Sequence, residues 1–189
     1  MSDTATEDTA TEIARRLSGT FAKSGFAAPS VDDLRNAAQV SLRTLYKYYP
    51  SREAMVVGAL RYRHDLYLEW ISGGAGEGQG HVLHIFERLG EWFGQGGTNG
   101  CLFLNALAAH PNSREVRETV AEHKSCIKTE FLRRLVRISP DRKNDDPAEV
   151  LFLIHEGQTE AAMTQDPAKA TRAALRSAEI LLTKEGIPA

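Results

Sequence analysis

Residues 41–53 read SLRTLYKYYPSRE, and how this stretch is read decides the fold. It gathers Tyr46, Tyr48 and Tyr49 with Arg43, Lys47 and Arg52 around a single proline. Ser41 is placed to cap a helix, and Pro50 ends it because the residue before a proline is pushed out of helical geometry. Ser51 then caps a long helix from Arg52 to about Ile71. Upstream, Ser30-Val31-Asp32-Asp33 has the form of a capping box and opens a two-turn helix to Ala38, with Val31, Leu34, Ala37 and Ala38 inward. Before that, Ile13, Leu17 and Phe21 form one stripe of a helix from about Glu12 to Ser24 that stops at Gly25, with Phe26 tucked beneath it. Two short helices separated by about three residues, with a third ahead of them, form a helix-turn-helix.

In such a motif the second short helix enters the major groove of DNA. Ser41, Leu42, Arg43 and Thr44 come closest to base edges, and Arg43 suits the paired acceptors of guanine. Tyr46, Lys47 and Tyr48 follow at the groove wall, where phenols and an ammonium bond to phosphate oxygens. Ser30 adds the N–H groups of a helix N-terminus. Tyr49, beside the proline, reads instead as a core ring with its hydroxyl at the surface. Charge agrees with this placement. The chain carries a net charge of −2, yet from Glu12 to Arg63 nine Lys/Arg face four carboxylates, leaving +5 there and −7 elsewhere. A basic third on an acidic body suggests that only one part meets a polyanion.

The remainder is helical by periodicity, since apolar residues recur at three and four and alternating β-branched runs are missing. The stretch GGAGEGQG, residues 73–80, is a flexible connection and not a phosphate loop, because no strand precedes it. His81–Phe93 is amphipathic, GQGGTNG separates it from an apolar helix over Cys101–His110, and Asn112 or Ser113 caps the next. That helix carries Val116, Val120, His123, Ile127, Phe131, Leu135 and Ile138 on one stripe. Asp146-Pro147 and Asp166-Pro167 each place a carboxylate ahead of a proline at the first helical position, so two further helices start there. The first is apolar on two sides, Val150, Ile154, Gly157 and Ala161 on one, Leu151, His155, Gln158 and Ala162 on the other. It is therefore either a dimer-forming helix or the central helix of one bundle. The expected architecture is all-α, about nine helices: a disordered acidic tail over 1–11, a helix-turn-helix over 12–51 continuing into a linking helix over 52–72, and a helical body over 52–189.

The order and spacing of these blocks resemble the DNA-binding domain of the TetR family of transcriptional regulators over residues 12–60. Lys-Ser-Gly-Phe (23–26), Ser-Val-Asp-Asp-Leu (30–34), Ala-Ala-Gln-Val-Ser (37–41) and Leu-Tyr-Lys-Tyr-Tyr-Pro-Ser-Arg-Glu-Ala-Met (45–55) carry the likeness. Carried over, Thr44, Tyr46 and Lys47 sit on DNA. The chain departs at Gln39, where the family usually has glycine, and at Arg35, Tyr49 and Leu42-Arg43. Asn-Gly-Cys-Leu-Phe-Leu-Asn-Ala-Leu-Ala-Ala-His-Pro (99–111) is similar to the sixth helix of many such regulators. The resemblance implies a ligand-responsive repressor of a palindromic operator, acting as a homodimer through helices near 148–163 and 168–184.

Within the body, His123, Cys126, His155 and Glu156 are candidates to orient a small apolar or aromatic effector among Phe86, Trp92, Phe93, Phe103 and Met163. The same residues also fit an ordinary core with a satisfied histidine and an inert thiol. His81, His84 and Glu87 share a helical face, a spacing common by chance, and no metal or other cofactor is assigned. No G-x-S-x-G, phosphate loop, H-E-x-x-H or Glu-x-x-His pattern occurs, so no enzyme is expected. Two cysteines and the absence of an apolar leader or bilayer-length run fit a cytoplasmic protein that does not enter the membrane. The competing expectation is a helical small-molecule or protein-binding module without a DNA role.

Overall fold

Caps and stripes of the kind read above close the helices of the computed structural model, which describes residues 2–94 and 100–187. In chain order these are α1 (Ser2–Ser24), α2 (Val31–Ala38), α3 (Leu42–Tyr48), α4 (Arg52–Trp70), α5 (Gly78–Gly94), α6 (Leu102–Ala109), α7 (Arg114–Ile138), α8 (Asp145–Thr164) and α9 (Pro167–Lys184). No strand occurs among the described residues, and none of these helices is long and apolar enough to cross a membrane. The chain divides into two compact units: Met1–Tyr67 with Leu102–Glu122, and Leu68–Cys101 with His123–Ala189. The first thus reaches beyond residues 12–51 to take in most of α4, all of α6 and the start of α7.

In the first unit Ile13, Leu17 and Phe21 are buried as a stripe, and Phe26 stacks on Phe21 with ring centroids 4.8 Å apart. His110, just after α6, meets Phe26 edge-on at 6.3 Å. Leu34, Ala38 and Leu45 complete the small core with Met55, Val56, Ala59 and Leu60 of α4. Helix α1 begins at Ser2, so residues 2–11 are helical where a disordered tail was expected. Alanines favour helix there, and acidic residues near an N-terminus complement its dipole. A tertiary bond reaches this segment from Tyr49, whose hydroxyl donates to the Ala10 carbonyl at 2.9 Å.

The second unit packs α8 on α9 and α5 against both. Gln158 Nε2 ties the three together, donating to the Phe86 carbonyl at 3.0 Å and to Thr171 Oγ1 at 3.1 Å. Arg134, fully buried on α7, was not among the residues expected inside. Its guanidinium donates to Glu130 at 2.7 Å and to the His81 and Ile71 carbonyls at 2.6 Å each, so the desolvated charge keeps both an anion and carbonyl partners. Asp166 caps α9 ahead of Pro167, as its sequence suggests, through Ala168 N–H at 3.1 Å. For α8 the expected start is corrected. The N-cap is Asn144, with Asp145 the first helical residue and Pro147 inside the first turn, where the missing N–H costs nothing. Of the connection over 94–100, residues 95–99 lie outside the described residues.

Gly58 shows why a helix tolerates an unfavourable residue. A Cβ there would stand 2.2 Å from Cε1 of Tyr49, so the glycine makes room for the ring that reaches Ala10. Gly58→Ala should lower the unfolding free energy by about 1–2 kcal/mol in a urea titration, because overpacking outweighs the roughly 1 kcal/mol gained in helix propensity. In a Tyr49→Ala background the same change should become neutral or stabilising. Additive effects would refute the contact.

Candidate nucleic-acid interface

Helix α3 has seven residues, too few to persist without tertiary support. Ser41 caps it, accepting Thr44 N–H at 3.0 Å, and the Ser41 and Thr44 hydroxyls are hydrogen-bonded at 2.8 Å. Leu45 is its one buried side chain. With Leu45 turned in, Leu42, Arg43, Tyr46 and Lys47 turn out, Leu42 and Tyr46 being 43% and 40% exposed. Thr44 and Tyr48 are half-buried, and Lys47 Nζ lies 5.2 Å from the Tyr48 ring centroid. Arg43 and Lys47 form no ion pair among the described residues. The α3 residues expected on DNA are therefore brought onto one short helix, four of the six exposed, with the exposed Ser41 as its cap.

Ser30 stands apart from this group. Its capping box is complete: Asp33 N–H donates to Ser30 Oγ at 3.1 Å, and Ser30 N–H donates to the Asp33 carboxylate at 2.8 Å. These bonds hold the Asp33 carboxyl below its ordinary value, the Ser30 hydroxyl first and its backbone N–H second. The N–H of Ser30 is thus already used, and the anions Asp32 and Asp33 occupy the first turn of α2.

The turn between α2 and α3 centres on Gln39, where the sequence departs from the usual glycine, and is held by Arg16, which the sequence reading did not single out. Gln39 adopts φ 56°, ψ 41°, a left-handed conformation that a side chain other than glycine or asparagine enters at a cost of about 1–2 kcal/mol. Arg16 on α1 holds it there, donating from Nη1 to the Ala38 carbonyl at 3.0 Å and to Gln39 Oε1 at 2.6 Å. Glu12 orients Arg16 at 2.6 Å and also pairs with Arg15. Hydrogen bonds from Arg15 and then Arg16 hold the Glu12 carboxyl down at about 2. Arg52 fastens the other side, donating to the Phe26 and Pro29 carbonyls at 2.6 and 2.7 Å. At the start of α7, Ser113 caps by accepting Val116 N–H at 3.1 Å and donates to the Glu53 carboxylate.

The candidate effector residues fall into several places. In the second unit Phe86 packs on Phe131 at 5.3 Å, and Phe131 meets His155 edge-on at 6.0 Å. His155 Nδ1 lies 3.5 Å from Glu156, whose other oxygen accepts Lys124 Nζ at 2.5 Å, and the same ammonium is 3.4 Å from Cys101 Sγ. Lys124 and Cys101 join this polar group without having been expected in it. His123 and Phe93 are buried, and Trp92 is half-buried against Trp70 at 5.6 Å, with the Arg88 guanidinium 3.9 Å above the Trp70 ring. Cys126 lines a separate hollow of about 340 Å³ with Leu68, Ser72, Thr129, Glu130 and Arg133. Met163 is 44% exposed beside Gly100, while Phe103 is buried in the first unit.

Residues 10–59 match the family model described as bacterial regulatory proteins, tetR family. Among solved structures, SCO4454, a TetR-family transcriptional regulator from Streptomyces coelicolor, is similar at 22% identity with a TM-score of 0.78, over 92% of this chain and 95% of that one. A TetR-family regulator from Cytophaga hutchinsonii superposes with a TM-score of 0.72 at 18% identity, over 96% of both chains. The multidrug-binding protein EbrR, complexed with malachite green, does so with 0.69 at 17%, over 95% and 98%. No curated protein sequence gave a match. The stretch that carries the helix-turn-helix thus matches the tetR family model, and the chain shares the all-α fold of those TetR-family structures along its length.

His155 gives a test of the buried polar group. Burial pushes its imidazole below the ordinary value, against a smaller upward pull from Glu156. Burial alone would raise Glu156, but His155 and Lys124 more than offset it and hold that carboxyl low. The unfolded chain therefore takes up a proton near pH 6.5 that folded His155 refuses, and stability should fall as pH drops from about 7 to 5. His155→Leu should flatten that slope in pH-resolved urea titrations. Some slope should remain, because burial and then Arg134 also depress His81. An unchanged slope would place the proton uptake elsewhere.

Proposed function

We propose that the protein is a one-component repressor that binds a palindromic operator as a homodimer and leaves it when a small apolar or aromatic molecule binds in its helical body. The observation that carries the DNA half is α3, whose single buried leucine turns Leu42, Arg43, Tyr46 and Lys47 to the outside. Arg43 reads guanine, and Tyr46, Lys47 and Tyr48 hold phosphates on either side. Two such helices enter adjacent major grooves roughly 34–36 Å apart. Such a regulator works where the chromosome is, in the cytoplasm.

The effector half is supported by the Phe86, Phe131 and His155 rings beside the Lys124–Glu156 pair, an apolar wall with a few polar groups of the kind that orients ligands. EbrR, of the same fold, holds malachite green. To turn operator occupancy from mostly on to mostly off, the effector must favour the released state by about 5.5 kcal/mol. Dimerisation is supported by the outer face of α8, where Val150 and Leu153 are 40% and 58% exposed, and by Ile180 of α9 at 60%. Leu153→Lys should yield a folded monomer in sedimentation equilibrium. A dimer that survives it unchanged would place the interface elsewhere.

The decisive experiment is a nuclease footprint on DNA upstream of the gene, titrated with salt, followed by binding to the protected site. Lys47→Ala should weaken binding to every sequence and lower the salt slope by about one unit. Arg43→Ala should relax preference at one base pair, worth about 1–3 kcal/mol of discrimination. Uniform loss with Arg43→Ala would remove its role as a base reader. Absence of protection on any genomic fragment at low salt would favour a helical module without a DNA role.

A further inference from the structure

Gln39 combines an unfavourable backbone state with an unused side-chain donor, and the DNA reading assigns it no part. It lies in the turn between α2 and α3, two residues ahead of the cap Ser41, and like Ser41, Leu42 and Arg43 it is exposed. We propose that the side-chain amide of Gln39 donates a hydrogen bond to a phosphate oxygen of DNA, a contact that fixes the register of α3 without reading sequence. This rests on the DNA reading above.

The backbone raises the question of why a glutamine stands here. At φ 56°, ψ 41° a glycine would sit without a Cβ clash, and asparagine would be tolerated better than glutamine. Strained residues persist only where their surroundings over-determine them, and they cluster where the side chain has a task. Here Gln39 N–H donates to the Asn36 carbonyl at 3.1 Å, Arg16 Nη1 donates to the Ala38 carbonyl at 3.0 Å and to Gln39 Oε1 at 2.6 Å, and Glu12 holds the guanidinium through Nε at 2.6 Å. The bond to the Ala38 carbonyl closes the turn whatever side chain follows, so the bond to Oε1 serves the glutamine itself.

That bond decides what the amide is able to do. A guanidinium has donors and no acceptor, so the atom facing Arg16 is Oε1 and the amino group is turned away from it. Nε2 has no partner among the described residues. Reading adenine in the major groove takes both the carbonyl and the amino group of a glutamine, and this carbonyl is engaged. What remains is a donor on an oriented side chain, whose complement is an acceptor-only anion, and on DNA that is a phosphate oxygen. The side chain is already ordered in the free protein, which keeps the cost of forming the contact low.

The test is fluorescence anisotropy on the duplex protected in the footprint, and on a copy with one base pair changed, at several salt concentrations. Gln39→Gly removes the donor and relaxes the turn. Its affinity should fall about tenfold, by the same factor on both duplexes, with the salt slope unchanged because a neutral amide displaces no counterion. Gln39→Glu keeps an acceptor for Arg16 but sets a carboxylate where the donor stood, and it should weaken binding at least as much. Unfolding curves establish that both variants fold. Unchanged or tighter binding by Gln39→Gly would confine the residue to the turn. A loss accompanied by a lower salt slope would mean that the cations of α3 had been displaced, and a loss on one duplex alone would make Gln39 a base reader. Each of these overturns the proposal. Lys47→Ala on the same duplexes judges the DNA reading separately: if it loses affinity while Gln39→Gly does not, only the present proposal falls, and if the unmodified protein binds neither duplex, both fall.

Discussion

A seven-residue helix cannot hold itself, and the burial of Leu45 is the constraint on which the candidate DNA-facing surface depends. One leucine, with about 1.5–3 kcal/mol of transfer free energy, must orient four outward side chains. It does so only because the neighbouring geometry leaves little freedom. Ser41 closes one end, Tyr49 N–H bonds to the Leu45 carbonyl at the other, and the Gln39 turn sets where the helix begins. The left-handed turn is unfavourable for glutamine, and the two bonds from Arg16 offset it. Arg16 is thus as much a part of the interface as the residues that would touch DNA, although it sits on α1.

The local grammar of this module was legible because each signal concerns neighbours in sequence. The Ser30 capping box, the Ser41 cap, the stop before Pro50 and the exposed positions of α3 all follow from spacing. What was not legible depends on distance. Arg134 reads as a solvated charge until α4 and α5 bring the Ile71 and His81 carbonyls to it. Arg16 and Arg52 look like two more cations of a basic region, yet each uses its guanidinium on carbonyls of loops and caps. Counting them toward an electrostatic footprint overstates the charge available to phosphates.

The candidate effector residues show the same limit from the other side. A stripe reports which side of a helix is inward but not which inward side chains meet. Phe86 and His155 converge on Phe131, which had been read only as core, while Phe103 belongs to a different compact unit. Glu156 was chosen beside His155 because the two are adjacent in the chain. Its 2.5 Å contact is with Lys124, thirty-two positions away, and that contact brings Cys101 into the group.

Charge partition along the chain is coarser than charge partition in space. The basic region that ends at Arg63 suggests that the first unit is uniformly attractive to DNA, but α7 returns Glu115, Glu118 and Glu122 to it. The unit therefore has two electrostatic characters: cations on the outer side of α3, and carboxylates of α7 that line a hollow with Tyr48 and Tyr49. Tyr48 lies where the two meet, beside Lys47 and in a hollow shared with those carboxylates, so its worth as a phosphate contact is set by the balance between them.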